Sequence, residues 1–202
     1  MKVAVLASGA GTNLQALIDH AHGRDGVELV AVASDKPEAR ALQRSRAAGI
    51  ATRVFAVNDF SDRRHRDLAI ADWLRERGTE LVVLAGYMQL LSSEFLAAFP
   101  DRIINVHPSL LPAFPGLDAV QQAIDYGVTV FGVTVFFVDD GVDSGPVLLQ
   151  RALELPAAHE AGEVLEQLHR VEHALLPEAV QLIAAGRVSF DPANPRRVVI
   201  DR

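Results

Sequence analysis

A histidine ends an apolar, β-branched run in the segment NVHPSLLPAFPG, residues 105–116, and three prolines follow it. Histidine is the usual proton carrier in acyl-type transfers because it titrates near neutral pH. Asn105 lies two residues before His107, on the same side of the predicted strand, where its amide can donate to a developing oxyanion. The pair indicates acid–base chemistry on an acyl group, although a histidine at a strand end also fits a structural role.

Such a histidine needs an acid to hold its charge and tautomer. Asp143 is the best candidate, because it lies in the turn-rich segment DDGVDSG between two predicted strands. In open α/β sheets, ligands bind at the carboxyl ends of the strands. We therefore expect four loops on one edge of the sheet: SGAGTN (8–13), AGYMQLLS (85–92), NVHPSLLP (105–112) and DDGVDSG (139–145).

The segment SGAGTN joins the first predicted strand to the first predicted helix. Its two glycines let backbone N–H groups approach an anion, and Thr12 or Asn13 can cap the helix. A dinucleotide fingerprint requires a third glycine where this chain has Leu14, although Asp35 stands where a ribose-binding acid would be. The segment favours a small phosphate monoester, and a plain tight turn or an NAD-type module are the alternatives.

Residues 169–173, HRVEH, match the zinc-peptidase pattern H-x-x-E-H. His169 and His173 share a helix face, but a zinc site needs a third protein ligand, and the sole downstream glutamate is Glu178. We therefore expect no metal and a solvated helix with two incidental histidines.

The elements that must position these residues alternate along the chain. Continuous apolar runs predict strands at 2–7, 27–33, 52–57, 80–86 and 102–106. Helical patterns lie between them at 12–21, 37–49 and 60–78, and the last has its predicted core face at Leu68, Ala71, Trp73 and Leu74 and its charged residues toward solvent. This alternation favours a parallel sheet covered on both faces.

After residue 117 the pattern changes to a short helix (118–127), two longer strands (129–138 and 146–156) that look antiparallel, and a helix over roughly 160–186 capped by Gly186. We predict an α/β fold, a single domain with a Rossmann-like, mixed but mostly parallel sheet and helices on both faces. The domain is expected over 1–190, followed by a short extension, 191–202, that can add an extra strand.

Composition limits the function classes. The chain has 202 residues, of which 50% are apolar and 22% charged, enough for one domain with a core and without a membrane-spanning run. The lack of cysteine excludes disulfides and thiolate chemistry, and the net charge of −7 disfavours broad nucleic-acid binding. The first apolar run is too short for a signal peptide and is interpreted as the first strand, and the lack of cysteine leads us to expect a cytoplasmic protein.

Five segments carry a resemblance in their order and spacing: SGAGTNLQALI, AGYMQLLS, NVHPSLLPAFPG, GVTVFFVDDGVDSGPVLLQ and VEHALLPEAVQLIAAGRV. From residue 1 to about 190, the chain resembles the folate-dependent glycinamide ribonucleotide transformylases (phosphoribosylglycinamide formyltransferase). The pattern N-x-H-P-S-L-L-P with a later D-x-G-P is shared by folate-dependent formyltransferases in general. The loop SGAGTN and the last helix point to the glycinamide ribonucleotide branch.

The resemblance implies transfer of a formyl group from the co-substrate 10-formyltetrahydrofolate to the amine of 5′-phosphoribosylglycinamide, in de novo purine biosynthesis and without a metal. It implies a catalytic triad of Asn105, His107 and Asp143. The imidazolium of His107 and the amide of Asn105 would stabilise the oxyanion, and Asp143 would keep His107 protonated and help to move the amine proton through water.

The resemblance also implies two binding sets, with small-molecule partners only, no nucleic acid or membrane, and a monomer or homodimer. The nucleotide set holds the 5′-phosphate near the glycine loop and the ribose hydroxyls on Glu172: Gly11, Thr12, Asn13, His169, Arg170, Val171 and Glu172. The folate set forms an apolar slot with backbone hydrogen-bonding groups: Arg63, Met88, Gln89, Leu90, Leu91, Asn105, Asp139, Asp140, Gly141, Val142 and Asp143.

Three positions depart from the family pattern. Phe136 stands where histidine is frequent, Gln89 where a basic residue is frequent, and Ala113 where lysine is common. Two relatives with the same signature are alternatives: methionyl-tRNA formyltransferase, which adds a C-terminal tRNA-binding domain, and formyltetrahydrofolate hydrolase, which adds an N-terminal regulatory domain. The chain starts on its first strand and ends soon after its last helix, so we expect the transformylase.

Overall fold

Short β-branched runs form the strands of the computed structural model, which describes residues 1–156 and 160–201. In the first half of the chain they are β1 (Lys2–Leu6), β2 (Glu28–Ser34), β3 (Ala51–Val54), β4 (Leu81–Leu84) and β5 (Ile103–His107). The helices between them are α1 (Thr12–His20), α2 (Arg40–Ala47), α3 (Arg63–Arg75) and α4 (Ser93–Ala98).

The second half contains α5 (Ala119–Tyr126), β6 (Val130–Phe137), β7 (Val147–Glu154), α6 (Ala161–Ala184), β8 (Val188–Asp191) and β9 (Asn194–Ile200). Strands β1–β7 belong to one sheet with the order β3-β2-β1-β4-β5-β6-β7, and β8 pairs with β9 in a separate hairpin. Gly186, at a φ of 68°, follows the end of α6, and its N–H donates to the Ile183 carbonyl, as the sequence predicted. No helix within the described ranges is long and apolar enough to cross a bilayer.

The chain divides into two compact units, Met1–Ile104 and Asn105–Arg202. In the first unit, β1 pairs in parallel with both β2 and β4, and β2 pairs in parallel with β3. All four residues of β4 and four of the five in β1 are buried. Burial without alternation means that both faces of these strands are covered, which agrees with the predicted parallel sheet.

The register of β1 and β4 brings two of the candidate loops together. Leu6 pairs with Leu84, so the two strands end at the same level. The Ser8 N–H then donates to the Gly86 carbonyl at 3.0 Å, and the Met88 N–H donates to Ser8 Oγ at 2.9 Å. The glycine loop and the segment 85–92 therefore share one edge of the sheet, as predicted from the strand order.

In the second unit, β6 and β7 pair antiparallel, as expected, with Val130 opposite Glu154. Helices α5 and α6 contact each other, and α6 also packs on β6 and β7. The hairpin β8–β9 contacts β7, and the Phe190 ring lies 4.9 Å from the Phe137 ring. The segment 191–202 thus contains β9, and its last residue lies outside the described ranges.

One prediction about α3 is wrong. Its charged residues were all expected to face solvent, yet the side chains of Arg66 and Asp67 are only 2% and 0% exposed and pair at 3.0 Å. The pair is buried because Asp67 also accepts the Ser92 N–H at 2.6 Å, which ties α3 to the start of α4. Ala71, Trp73 and Leu74 are buried as predicted, whereas Leu68 is half-buried.

Candidate active site

His107 is the last residue of β5, and its side chain is buried. Its Nδ1 lies 3.4 Å from Oδ2 of Asp143, and its Nε2 lies 2.8 Å from the carbonyl oxygen of Phe114. A carbonyl only accepts hydrogen bonds, so Nε2 carries the proton of that bond. The other nitrogen faces a carboxylate, which also only accepts. Both ring nitrogens of His107 therefore face hydrogen-bond acceptors.

The loop between β6 and β7 presents Asp143 from a left-handed backbone conformation, with a φ of 49°. Oδ2 of Asp143 accepts the Gly116 N–H at 2.8 Å. The Asp139 carboxylate stabilises the loop internally, because its Oδ1 accepts hydrogen bonds from the Gly141 N–H at 3.1 Å and from the Ser144 hydroxyl at 2.7 Å.

Two further contacts hold this loop at its base. A Cβ atom at Gly145 would lie 1.8 Å from the Phe137 carbonyl oxygen, so only glycine allows this close approach. The Arg196 guanidinium, from β9, donates to the Ser144 carbonyl. The remaining loop residues of the predicted folate set, Asp140, Gly141 and Val142, are exposed.

The proline-rich segment after His107 folds back on two polar side chains, the buried Thr134 and the exposed Gln150. The Thr134 hydroxyl donates to the Ser109 carbonyl at 2.7 Å and accepts the Leu111 N–H at 3.1 Å. The Gln150 amide donates to the Leu111 carbonyl at 2.8 Å. These bonds place the Phe114 carbonyl on His107 and the Gly116 N–H on Asp143, so one segment contacts both members of the pair.

Asn105 is half-buried on β5, two residues before His107. Its Oδ1 accepts the N–H of Val106 at 2.9 Å. This bond fixes the amide orientation and leaves the Nδ2 group as the donating end. Alternation along the strand puts Asn105 and His107 on the same side, as predicted.

In the first unit, the glycine loop is supported by α2. The Ala41 N–H donates to the Gly9 carbonyl at 3.2 Å, and the Arg44 Nε donates to the Ala10 carbonyl at 2.9 Å. The N-cap residue of α1 is Gly11, so the prediction that Thr12 or Asn13 caps this helix is wrong. Gly11 takes that position because the turn requires a φ of 68° and close contact with α2.

Replacing Gly11 by alanine is expected to lower the free energy of unfolding by about 2 kcal/mol, because the new Cβ overpacks the turn and the left-handed backbone is strained. That Cβ would lie 2.7 Å from the Ala41 Cα. Chemical denaturation measures the change. Gly9→Ala is the matched control and should be near neutral, since a Cβ there meets nothing within 4 Å. Equal stability of the two variants would contradict this packing.

The segment after β4 has alternating exposure. Tyr87 is buried, and burial raises the pKa of its phenol, while the apolar Met88 and Leu90 are 59% and 61% exposed. Leu91 is half-buried.

Arg63, the first residue of α3, is exposed next to its N-cap Asp62. The His65 backbone N–H that Asp62 accepts lowers the pKa of this carboxyl and fixes where the helix begins.

The geometry argues against a dinucleotide site. Asp35 follows β2, where a ribose-binding acid would lie, but its side chain is buried and Oδ2 accepts the Gln89 amide at 3.0 Å. A buried, engaged carboxylate does not present itself to ribose hydroxyls. Leu14 is also fully buried in α1. The NAD-type alternative therefore loses the support of Asp35.

The four predicted nucleotide residues on α6 lie within one turn of the helix. Glu172 is buried, His169 and Val171 are half-buried, and the exposed Arg170 pairs with Glu166 at 2.7 Å. The His169 and His173 rings stack with centroids 6.2 Å apart. Among residues 1–156 and 160–201, no three or more His, Cys, Asp or Glu side chains cluster closely enough to hold a metal ion.

The chain is similar to proteins of a known family. The family model described as formyl transferase matches residues 1–180. The chain belongs to the formyl transferase family. This formyl transferase is 40% identical to phosphoribosylglycinamide formyltransferase of Bacillus subtilis over 182 residues, which are 89% of this chain and 93% of that protein.

A second relative is the trifunctional purine biosynthetic protein adenosine-3 of Bos taurus, 41% identical over 188 residues. That match covers 93% of this chain but only 19% of the bovine protein. Among solved structures, glycinamide ribonucleotide transformylase 1 of Symbiobacterium toebii is 42% identical, with a TM-score of 0.95 over 100% of this chain and 94% of that chain. The predicted fold, a single α/β domain with a mostly parallel sheet, is confirmed.

Several site contacts of this formyl transferase were not predicted. The Phe114 carbonyl and the Gly116 N–H are backbone groups, which a search for reactive side chains does not consider. Thr134 had a signal, because it is a polar residue inside the apolar strand VFGVTVFF. The hydrogen bond from Arg196 to the Asp143 loop had no signal in the sequence, since it depends on how the hairpin β8–β9 packs.

Proposed function

We propose that this protein transfers the formyl group of 10-formyltetrahydrofolate to the amine of 5′-phosphoribosylglycinamide, a step of purine biosynthesis. The observation that carries the proposal is the pairing of His107 with Asp143 while Nε2 faces the Phe114 carbonyl. A positively charged, buried imidazolium suits a reaction whose intermediate carries a negative oxygen.

In the proposed reaction, the substrate amine attacks the formyl carbon, and a C–N bond forms as the carbonyl oxygen becomes an oxyanion. The oxyanion replaces the Phe114 carbonyl as the acceptor of the hydrogen bond from Nε2 of His107. It accepts a second hydrogen bond from Nδ2 of Asn105. The bond from the formyl carbon to N10 of the folate then breaks. The proton lost by the amine reaches N10, and Asp143 assists this transfer through water.

We assign the nucleotide to the glycine loop and to α6. Because α1 begins at Thr12, the N–H groups of its first turn have no intrahelical acceptor and favour a phosphate. Gly11, Thr12 and Asn13 would bind the 5′-phosphate. The Glu172 carboxylate would accept hydrogen bonds from the ribose hydroxyls, with His169, Arg170 and Val171 beside it.

We assign the folate to the exposed apolar segment 88–91, with Arg63, Asn105 and the loop 139–143. The exposed Met88 and Leu90 side chains offer apolar surface to the pterin, and the backbone of the segment offers hydrogen-bonding groups to its edge. The formyltransferase domain would span 1–190, with 191–202 as an extension. We place the protein in the cytoplasm as a monomer or homodimer that acts on small molecules, with no metal, nucleic acid or membrane partner.

A rate measurement with and without the nucleotide tests this proposal. Release of tetrahydrofolate from 10-formyltetrahydrofolate should depend on glycinamide ribonucleotide and saturate with its concentration. Equal folate turnover in the absence of the nucleotide would instead identify a hydrolase. Turnover that requires methionyl-tRNA in place of glycinamide ribonucleotide would identify the other related activity.

A further inference from the structure

In the first unit, the amide of Gln89 lies between an acid and a base. Its Nε2 donates to Oδ2 of Asp35 at 3.0 Å, and its Oε1 accepts from Nη1 of Arg66 at 3.2 Å. Asp35 and Arg66 are both buried. An amide donates at one end and accepts at the other, so it satisfies both charged neighbours at once.

The contacts continue to the far end of the same segment. Arg66 pairs with Asp67 at 3.0 Å, and Oδ2 of Asp67 accepts the Ser92 N–H at 2.6 Å. At the near end, the Met88 N–H donates to Ser8 Oγ at 2.9 Å. The segment 88–92 is thus anchored at its start, at Gln89 and at its end, although the apolar side chains of Met88 and Leu90 are more than half exposed.

The charge pattern makes the Gln89 amide hard to replace. Oδ1 of Asp35 has no hydrogen-bond partner among residues 1–156 and 160–201, so the bond from Gln89 to Oδ2 is important for keeping this carboxylate buried. The neighbouring Tyr87 phenol adds no charge, because burial raises its pKa. A carboxylate at position 89 would meet Asp35, and a cation there would meet Arg66.

We propose that Gln89 is a positioning residue: its side chain holds the segment 88–91 in the shape that accepts reduced folate, through Asp35 on one side and the Arg66–Asp67 pair on the other. This inference rests on the proposed folate site. It adds the side chains of Asp35, Arg66 and Asp67, which do not touch the ligand themselves. Weakening the network lowers folate affinity because the segment must then be ordered at the moment of binding.

An exchange of charge tests the network. Gln89→Glu places a second carboxylate beside Asp35 and should raise the KM for 10-formyltetrahydrofolate about tenfold, with a smaller change in kcat. Adding Asp35→Asn should bring KM back to within about threefold of wild type, because the amide introduced at position 35 can then donate to the new carboxylate and Arg66 pairs with it. The coupling between the two substitutions is the measured quantity.

The half-buried Gln15 offers a matched control, because its amide also lies between a carboxylate, Asp19, and a guanidinium, Arg44. Gln15→Glu should leave the KM for folate unchanged. An unchanged KM in Gln89→Glu, or a double variant as impaired as the single one, would overturn the proposal. If Gln89→Glu does not fold, Gln89→Met takes its place, because it removes both bonds without adding charge; a wild-type KM in that variant has the same meaning.

A ligand-free measurement separates this inference from the proposed function. Amide hydrogen exchange at Met88 and Ser92 should be faster in Gln89→Glu and slow again when Asp35→Asn is added. Wild-type protein that neither binds tetrahydrofolate nor turns over the formyl donor would refute the proposed function and leave this result standing. Exchange rates unaffected by either substitution would refute the positioning role, whatever the protein's activity.

Discussion

Replacing His107 by alanine is expected to lower kcat for formyl transfer by about 10²–10⁴-fold, the usual contribution of a positioned acid–base group. In the proposed mechanism, His107 supplies both the positive charge near the oxyanion and the proton donor at Nε2, so the substitution removes two effects at once. The KM values for both substrates should change far less, because the binding groups assigned to the glycine loop, α6 and the segment 88–91 remain.

Folding and specificity controls belong with that measurement. The fold should persist, as judged by circular dichroism and a cooperative unfolding transition, although Asp143 loses its ion-pair partner. His20→Ala removes an exposed histidine at the end of α1 and should retain wild-type turnover. Near wild-type kcat in a folded His107→Ala variant would contradict the mechanism.

Asp143→Asn is expected to lower kcat by about 10²-fold while the loop keeps its shape, since this change removes the charge and keeps the size of the side chain. The Gly116 N–H can still donate to the remaining side-chain oxygen, as it does to Oδ2 of Asp143. What is lost is the negative charge 3.4 Å from Nδ1 of His107, which in the proposed mechanism stabilises the imidazolium.

The pH–rate profile distinguishes this charge effect from a loss of structure. Removing the carboxylate destabilises the protonated form of the histidine, so activity that requires the imidazolium should decline at a lower pH than in wild type. The alkaline limb of the kcat profile is the part that moves. A profile of unchanged shape and position, with only its height reduced, would remove Asp143 from its assigned role.

The sequence predicted the His107–Asp143 pair because strand order alone determines which loops share an edge of the sheet. It also predicted the long helix and its end at Gly186, since long periodic segments and glycine stops are strong local signals. The six-residue helix α4 was not predicted, because one and a half turns carry too little periodicity to be recognised.

The main error of the sequence-based prediction concerned two charged residues that are buried. Arg66 and Asp67 were expected to face solvent because charged residues in an amphipathic helix normally do so. Their burial depends on the Ser92 N–H and on Gln89, which lie more than 20 residues away and cannot be inferred from the helix itself. The resemblance assigned Gln89 to the folate set and marked it as a departure from the family pattern, but it did not indicate the hydrogen bonds to Asp35 and Arg66.

In the proposed reaction, the formyl group moves from the folate to the nucleotide amine. The most direct test of this transfer is to follow a carbon-13 label placed in the formyl group of 10-formyltetrahydrofolate, by mass spectrometry of the products. We expect the label in the formylated ribonucleotide, one per tetrahydrofolate released. Label recovered as free formate, with the nucleotide unmodified, would contradict it.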